Sequence, residues 1–273
     1  MAWYCSGNTN SELVNNMFKH GLITSGRVKE AMLRVDRGHY CPTKSEAYQD
    51  SPQPIGHGAT ISAPHMHASA CEALLPYLNP GARVLDIGSG SGYLTAVFAE
   101  LVFDVPPNAP PSDDAGDGGE VVGIEHIPAL AKLGEDNMMK STRGAQFLKD
   151  GRVVFVVGDG RKGYIDVKRT NDTTAAHHAP PQSQKEFTST GWDAIHVGAA
   201  ARTLHEELVK QLKAPGRMFI PVEDEDEPSG GGLSRWLGGG SQYIWVVDKD
   251  KDGNVKKMRK EGVRYVPLTD PPA

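Results

Sequence analysis

Apolar positions along the 273-residue chain switch between two periods. Leu13, Val14, Met17 and Phe18 share one helical face that stops at Gly21, and Asn10 or Ser11 stands where a cap is needed. Val28, Met32 and Val35 form a second such face starting near Ser25. Met66, Ala70, Leu74 and Leu78 form a third, with Pro64 near its first position. Residues 40–64 show little periodicity and several Pro and Gly. Irregular stretches of that length in compact domains are often functional. Beyond residue 81 short apolar runs alternate with helical patterns. Strands are predicted over 83–87, 120–124, 153–157, 194–197 and 217–222, and helices over 93–102, 129–139 and 204–212. That alternation predicts an α/β fold: a mostly parallel sheet, helices on both faces and a helical N-terminal extension. Runs at 243–248 and 255–260 read as a hairpin around Lys251-Asp252-Gly253-Asn254, and 263–268 as a final strand. The C-terminal part of the sheet is therefore expected to be antiparallel.

The chain, 1–273, reads as one domain with a helical segment over 1–80, a ligand-binding core over 81–222 and C-terminal strands over 223–273. Segments near 106–119, 170–190 and 223–240 are rich in Pro, Gly and polar residues and fall between elements. They are expected to be inserted, mobile surface loops, where added length costs little entropy. Against 29 Lys and Arg stand 34 Asp and Glu, a net charge of −5, so composition carries no nucleic-acid footprint. Three widely spaced cysteines make neither a disulfide framework nor a metal knuckle, which suggests a reducing, cytoplasmic setting. The start shows no secretory pattern, and no apolar run approaches a membrane span. His177-His178 has no acid or thiol at ligand spacing, so no metal site is expected.

Four segments leave the ends of the predicted parallel strands, where an open α/β sheet holds its ligand. The first, Leu85-Asp86-Ile87-Gly88-Ser89-Gly90-Ser91-Gly92-Tyr93-Leu94, is strand, glycine turn and helix start. Such a turn brings a ligand against main chain and helix N-terminus. Its spacing is not that of dinucleotide binders; it resembles the first motif of class I S-adenosylmethionine-dependent methyltransferases, with a Rossmann-like sheet. On that resemblance Gly88 and Ser91 face the methionine part of the cofactor, and Asp86 holds its amino group. The second, Glu125-His126, offers a carboxylate for ribose hydroxyls, or else an ordinary exposed acid. The third, Gly158-Asp159-Gly160, can bind an adenine amino group or be a plain turn. The fourth, His196-Val197-Gly198-Ala199, is small enough to leave room for a ligand.

Ala59-Thr60-Ile61-Ser62-Ala63-Pro64-His65-Met66-His67 lies in the irregular stretch before the third helix. Ser62 there can cap the helix, or Thr60 and Ser62 can offer hydroxyls to a carboxylate beside the helix N-terminus, or both. This run resembles the signature of the protein-L-isoaspartate (D-aspartate) O-methyltransferase family. Asp50-Ser51-Pro52-Gln53-Pro54-Ile55-Gly56, the glycine turn, Val157-Gly158-Asp159-Gly160, Asp193-Ala194-Ile195-His196-Val197-Gly198 and Tyr265-Val266-Pro267-Leu268-Thr269 resemble it too. The likeness covers nearly everything outside the three inserted segments.

The resemblance implies a cytoplasmic, monomeric repair enzyme that acts on isoaspartyl-containing proteins and peptides, with S-adenosyl-L-methionine as cofactor. It implies Ser62 as the catalytic serine. It implies a cofactor pocket of Ala59, Thr60, Ile61, Ser62, His67, Asp86, Gly88, Ser91, Glu125, His126, Asp159, Gly160 and Thr269. Thr60, Ser62, His196 and Val266 are expected on the substrate side. Glu125 is one methylene longer than the Asp more common in animal members. The methyl ester made by the family closes to a succinimide without the enzyme and reopens partly to normal aspartate. The rival readings are another class I methyltransferase, acting on a small molecule or RNA, and a non-catalytic cofactor-binding module.

Overall fold

A computed structural model of the chain describes residues 5–103, 119–165, 191–223 and 241–268. The segments expected as inserted loops lie outside these residues, apart from Gly119 and Glu223, and so do His177, His178 and Thr269.

Helices α1 (Asn10–Lys19), α2 (Gly26–Arg34) and α3 (Pro64–Leu74) form the N-terminal extension. The cap of α1 is Thr9, whose side chain accepts the Glu12 N–H, and not Asn10 or Ser11. Asn10 is instead buried, donating from Nδ2 to the Met32 and Leu33 carbonyls. Ser25 caps α2 as its sequence suggests. Ser62 does not cap α3: the cap position is Ala63, with no side-chain hydrogen bond. The capping acceptor comes from afar, because Asp50 Oδ1 accepts the His65 N–H at 3.0 Å. A carboxylate there also suits the positive end of the helix.

The irregular stretch before α3 contains a hairpin that periodicity did not show, β1 (Gln53–Gly56) and β2 (Ala59–Ile61). Its turn has positive φ at Gly56 (91°), His57 (52°) and Gly58 (72°). Four- and three-residue strands interrupted by Pro54 are too short to show an alternation.

The core alternates β3 (Arg83–Ile87), α4 (Tyr93–Val102), β4 (Glu120–Glu125), α5 (Pro128–Met138), α6 (Thr142–Lys149), β5 (Val153–Val157), β6 (Trp192–Val197), α7 (Glu206–Gln211) and β7 (Leu212–Glu223). Helix α6, capped by Ser141, has only eight residues and was not apparent in the sequence. Strands β8 (Gln242–Lys249) and β9 (Val255–Val263) close the chain. The seven-stranded sheet runs β5-β4-β3-β6-β7-β8-β9, parallel through β7 and antiparallel after it.

The expected last strand over 263–268 is not one. β9 ends at Val263, and the following segment leaves the sheet edge to bridge Ala200 through Pro267. Ala200 N–H donates to Val266 O and Leu268 N–H donates to Ala200 O, both at 2.8 Å. Pro267 has no N–H to extend a ladder. The crossing carries Val266 to the end of β6.

The two faces of the sheet carry separate apolar clusters. Val84, Val121, Ala194 and Phe219 belong to the one shared with α1–α6; Leu85, Ile87, Val122, Ile195 and Met218 belong to the one that takes Leu208 of α7. Every residue of α4 is buried, because α2 covers the side away from the sheet. Glu100 of α4 is paired there with Arg34 and Arg143. The helical extension therefore seats directly on the core.

Candidate active site

The parallel strands β3, β4, β5 and β6 all deliver their following segments to one edge of the sheet. Main-chain bonds continue past the strands and lock these segments together: Gly88 N–H donates to Ile124 O (2.8 Å), Gly158 N–H to Glu125 O (3.0 Å) and Gly198 N–H to Ile87 O (2.7 Å). In the glycine turn Gly88, Gly90 and Gly92 have φ of 73°, 51° and 81°, a region that side chains disfavour. At Gly92 a Cβ would also come within 2.9 Å of Gly134 Cα and O. Gly92 is the cap position of α4 and has no side chain to offer; the Tyr93 N–H that opens the helix donates to Ser91 Oγ of the turn at 3.4 Å.

Glu125 supports the turn from β4. Its Oε2 accepts Gly90 N–H at 3.2 Å and its Oε1 accepts Ile127 N–H at 3.1 Å. His126 Nδ1 lies 3.3 Å from the same Oε1. Asp86 is buried below the turn; its Oδ1 is 2.8 Å from His196 Nδ1, and its Oδ2 accepts the Thr95 hydroxyl at 2.5 Å. At the end of β5 the Asp159 carboxylate is gripped by Arg161, with Nε 2.8 Å from Oδ1 and Nη2 2.9 Å from Oδ2. That hydrogen bonding holds the Asp159 carboxyl below the usual range against a smaller opposing effect of burial. The Arg161 main-chain N–H also donates to Oδ1, so most of the spare acceptor capacity lies on Oδ2. Gly160 has no room for a side chain: a Cβ would lie 2.3 Å from Ile87 Cγ2.

A narrow cleft at this edge joins three parts of the sequence. Thr60, Ile61, Ser62 and His67 line it from the hairpin and α3, Asp86 and Gly88 through Ser91 from β3 and its turn, and His196 with Gly198 from β6. The Ser89 hydroxyl is buried in that lining with no partner among the described residues, so a polar ligand group fits there. His67 is buried, and burial first, then the Arg37 charge, hold its pKa well below the usual histidine value. Outside the cleft runs an open groove of about 650 Å³ between α3 and the segment 261–266. Thr60, Ser62 and Gly198 line both spaces, and Val266 lines the groove.

The sequence-predicted residues thus fall into groups. Thr60, Ile61, Ser62, His67, Asp86, Gly88, Ser91 and His196 meet in the cleft. Glu125 and His126 stand beside the turn at the end of β4, and Asp159 and Gly160 follow at the end of β5. Ala59 lies in β2 opposite Gly56. Sequence reasoning passed over Ser89, whose place inside the glycine run was its only signal. It also passed over Thr95, which reaches Asp86 across the glycine turn, and Arg37, whose contacts join distant parts of the chain.

The family model for Protein-L-isoaspartate(D-aspartate) O-methyltransferase (PCMT) matches residues 8–183 and 187–272. The chain is 41% identical to Arabidopsis thaliana Protein-L-isoaspartate O-methyltransferase 1 over 262 residues, covering 96% of this chain and 92% of that protein. It is 40% identical to the Caenorhabditis elegans Protein-L-isoaspartate O-methyltransferase over 269 residues, covering 98% and 96%. In structure it is similar to a Plasmodium falciparum beta-aspartate methyltransferase (PCMT) solved with S-adenosyl-L-homocysteine. The TM-score is 0.72 at 30% identity, over 96% of this chain and 99% of that one. This chain belongs to the protein-L-isoaspartate (D-aspartate) O-methyltransferase family.

Proposed function

We propose that this enzyme transfers a methyl group from S-adenosyl-L-methionine to the free α-carboxylate of L-isoaspartyl and D-aspartyl residues in damaged proteins and peptides, the first step of their repair. The observation that carries this reading is the junction of two spaces at Ser62. The cleft at the strand ends suits a cofactor, the groove suits an extended peptide, and Thr60, Ser62 and Gly198 line both.

Asp86, Gly88 and Ser91 would hold the amino-acid end of the cofactor, Glu125 and His126 its ribose, and Asp159 and Gly160 its base. Ala59 through Ser62, His67 and Thr269 would complete that pocket. The unpartnered Ser89 hydroxyl supports a polar ligand at the first of these places. Bound S-adenosylmethionine supplies the methyl group already activated on a sulfonium cation.

The acceptor needs no activation, since an α-carboxylate is ionised at neutral pH. A general base is unnecessary, and His67, kept neutral by burial, need not serve as one. Ser62 and Thr60 act as neutral donors that orient the acceptor, with His196 and Val266 on the same side. Charge is lost as anion meets sulfonium, so a cationic clamp would favour the ground state over the transition state. Position and exclusion of water provide the catalysis.

In this reading the enzyme works in the cytoplasm as a monomer and acts on proteins and not on nucleic acid. The net charge of −5 supports the choice of substrate. Among the described residues no helix is long and apolar enough to cross a membrane. Incubation with radiolabelled cofactor and an isoaspartyl peptide, beside its normal aspartyl twin and an RNA, tests the activity. Label in the isoaspartyl peptide alone is expected; label in the RNA, or in neither peptide, overturns it.

A further inference from the structure

A buried arginine stands behind the cleft without an acid in ion-pair contact, the buried Asp50 carboxylate attracting it only from farther off. Arg37 follows α2 in a short 3-10 turn whose cap is Asp36. Its exposure is 0 %, and it makes no ion pair among the described residues. Instead its donors spread over three acceptors. Nε donates to Ala47 O at 3.1 Å, Nη2 donates to Ser62 O at 2.8 Å, and Nη1 lies 3.4 Å from His67 Nδ1. The guanidinium also sits 5.3 Å from the centre of the Tyr93 ring, itself 5.0 Å from the His67 ring. Its own main-chain N–H donates to Asn10 Oδ1 at 3.3 Å, and Asn10 is anchored on the Met32 and Leu33 carbonyls.

Taking a guanidinium out of water is costly, and an apolar side chain of similar volume would pack there without that cost. Only the planar fork can reach all three acceptors at once. Two of the three belong to residues that line the cleft, Ser62 and His67. A guanidinium donates and never accepts, so the His67 nitrogen facing it carries no proton. The ring proton then resides on Nε2.

We propose that Arg37 is a positioning residue for methyl transfer: its guanidinium ties the Ser62 main chain to the His67 ring and holds that ring as the Nε2–H tautomer. The cleft then meets its ligands with neutral donors in fixed places. Through Asn10 and the end of α2, the helical extension becomes part of the site. The catalytic consequence rests on the function proposed above; the tautomer does not.

The test begins with the wild-type protein carrying ¹⁵N-labelled histidine. NMR at neutral pH is expected to show His67 protonated on Nε2 and bare on Nδ1. An Nδ1–H tautomer or an imidazolium overturns the proposal. Arg37→Met keeps the volume and removes the donors. It is expected to leave His67 in a mixture of tautomers and to lower kcat roughly 10- to 100-fold, while S-adenosyl-L-homocysteine binding changes little. If that variant does not fold, Arg37→Lys, which offers one nitrogen in place of the fork, is expected to show the same fall in kcat. A folded variant of either kind with wild-type kcat overturns the proposal, as does a lowered kcat in Arg37→Met with the His67 tautomer unchanged. The tautomer is read without substrate, so a wild-type protein that methylates nothing would defeat the proposed function and leave the NMR result standing.

Discussion

Asp86 Oδ1 and His196 Nδ1 lie 2.8 Å apart in the interior, tying the ends of the adjacent parallel strands β3 and β6 together beneath the glycine turn. The His196 ring is stacked on Phe219 and meets Phe98 edge-on, each at 5.9 Å between centroids. Thr95 of α4 engages the other Asp86 oxygen. The carboxylate is thus a structural hub for three elements as well as a proposed cofactor ligand. Asp86→Asn replaces one acceptor by a donor inside this network. Unfolding free energy from urea titration should fall by about 1–3 kcal/mol, with weaker S-adenosyl-L-homocysteine binding in calorimetry. Unchanged values of both would remove Asp86 from either role.

Ser62 contributes no cap to α3, so its hydroxyl is free to serve the cleft and groove. Ser62→Ala should therefore change stability by no more than about 0.5 kcal/mol. Turnover on an isoaspartyl peptide should fall while the cofactor dissociation constant stays nearly constant. A large drop in melting temperature would show that the serine is structural after all.

The buried His67 ring links folding to acid pH. Burial, then the nearby Arg37 charge, lower its pKa in the folded state, while the unfolded ring titrates near 6.5. The unfolded chain binds the extra proton, so stability rises with pH in this range. The contribution of a neutral His67 is complete above pH 6.5 and is lost as pH falls below it. His67→Gln should flatten the acid limb of a plot of urea midpoint against pH. A smaller slope will persist from His205, whose pKa burial also lowers.

Gly92 is held twice, by a φ of 81° and by Gly134 and Phe155 packed against its Cα. Gly92→Ala should lose about 1–3 kcal/mol and misplace the turn, weakening cofactor binding together with stability. Gly21→Ala is the control. It has a similar φ of 74° but open space around it, so only the smaller backbone penalty should appear.

Much of this was legible in the chain. The apolar runs within β3, β4 and β5 and the apolar pattern of α4 gave their elements within a residue or so, because strands of a parallel sheet covered by helices are rich in apolar residues. The hairpin 53–61 was not, since its strands are shorter than one clear alternation. The segment 263–268 looked like a strand because Val263, Tyr265 and Val266 favour one. Its real position is set by the bridge to Ala200, a contact across the fold. The cleft residues Ser62, Asp86 and His196 stood out by type and spacing. Their partners did not: Arg37 and Thr95, like Arg161 beside Asp159, are ordinary residues locally, and only the folded chain brings Arg37 to Ser62, 25 positions away.

The junction at Ser62 is tested most directly by a crystal structure of the protein with S-adenosyl-L-homocysteine and an isoaspartyl peptide. The nucleoside is expected along the ends of β3, β4 and β5. The peptide should lie in the groove beside Val266, with its isomerised carboxylate against the Ser62 and Thr60 hydroxyls. A peptide bound elsewhere on the surface, or a carboxylate out of reach of both hydroxyls and the cofactor sulfur, would contradict it.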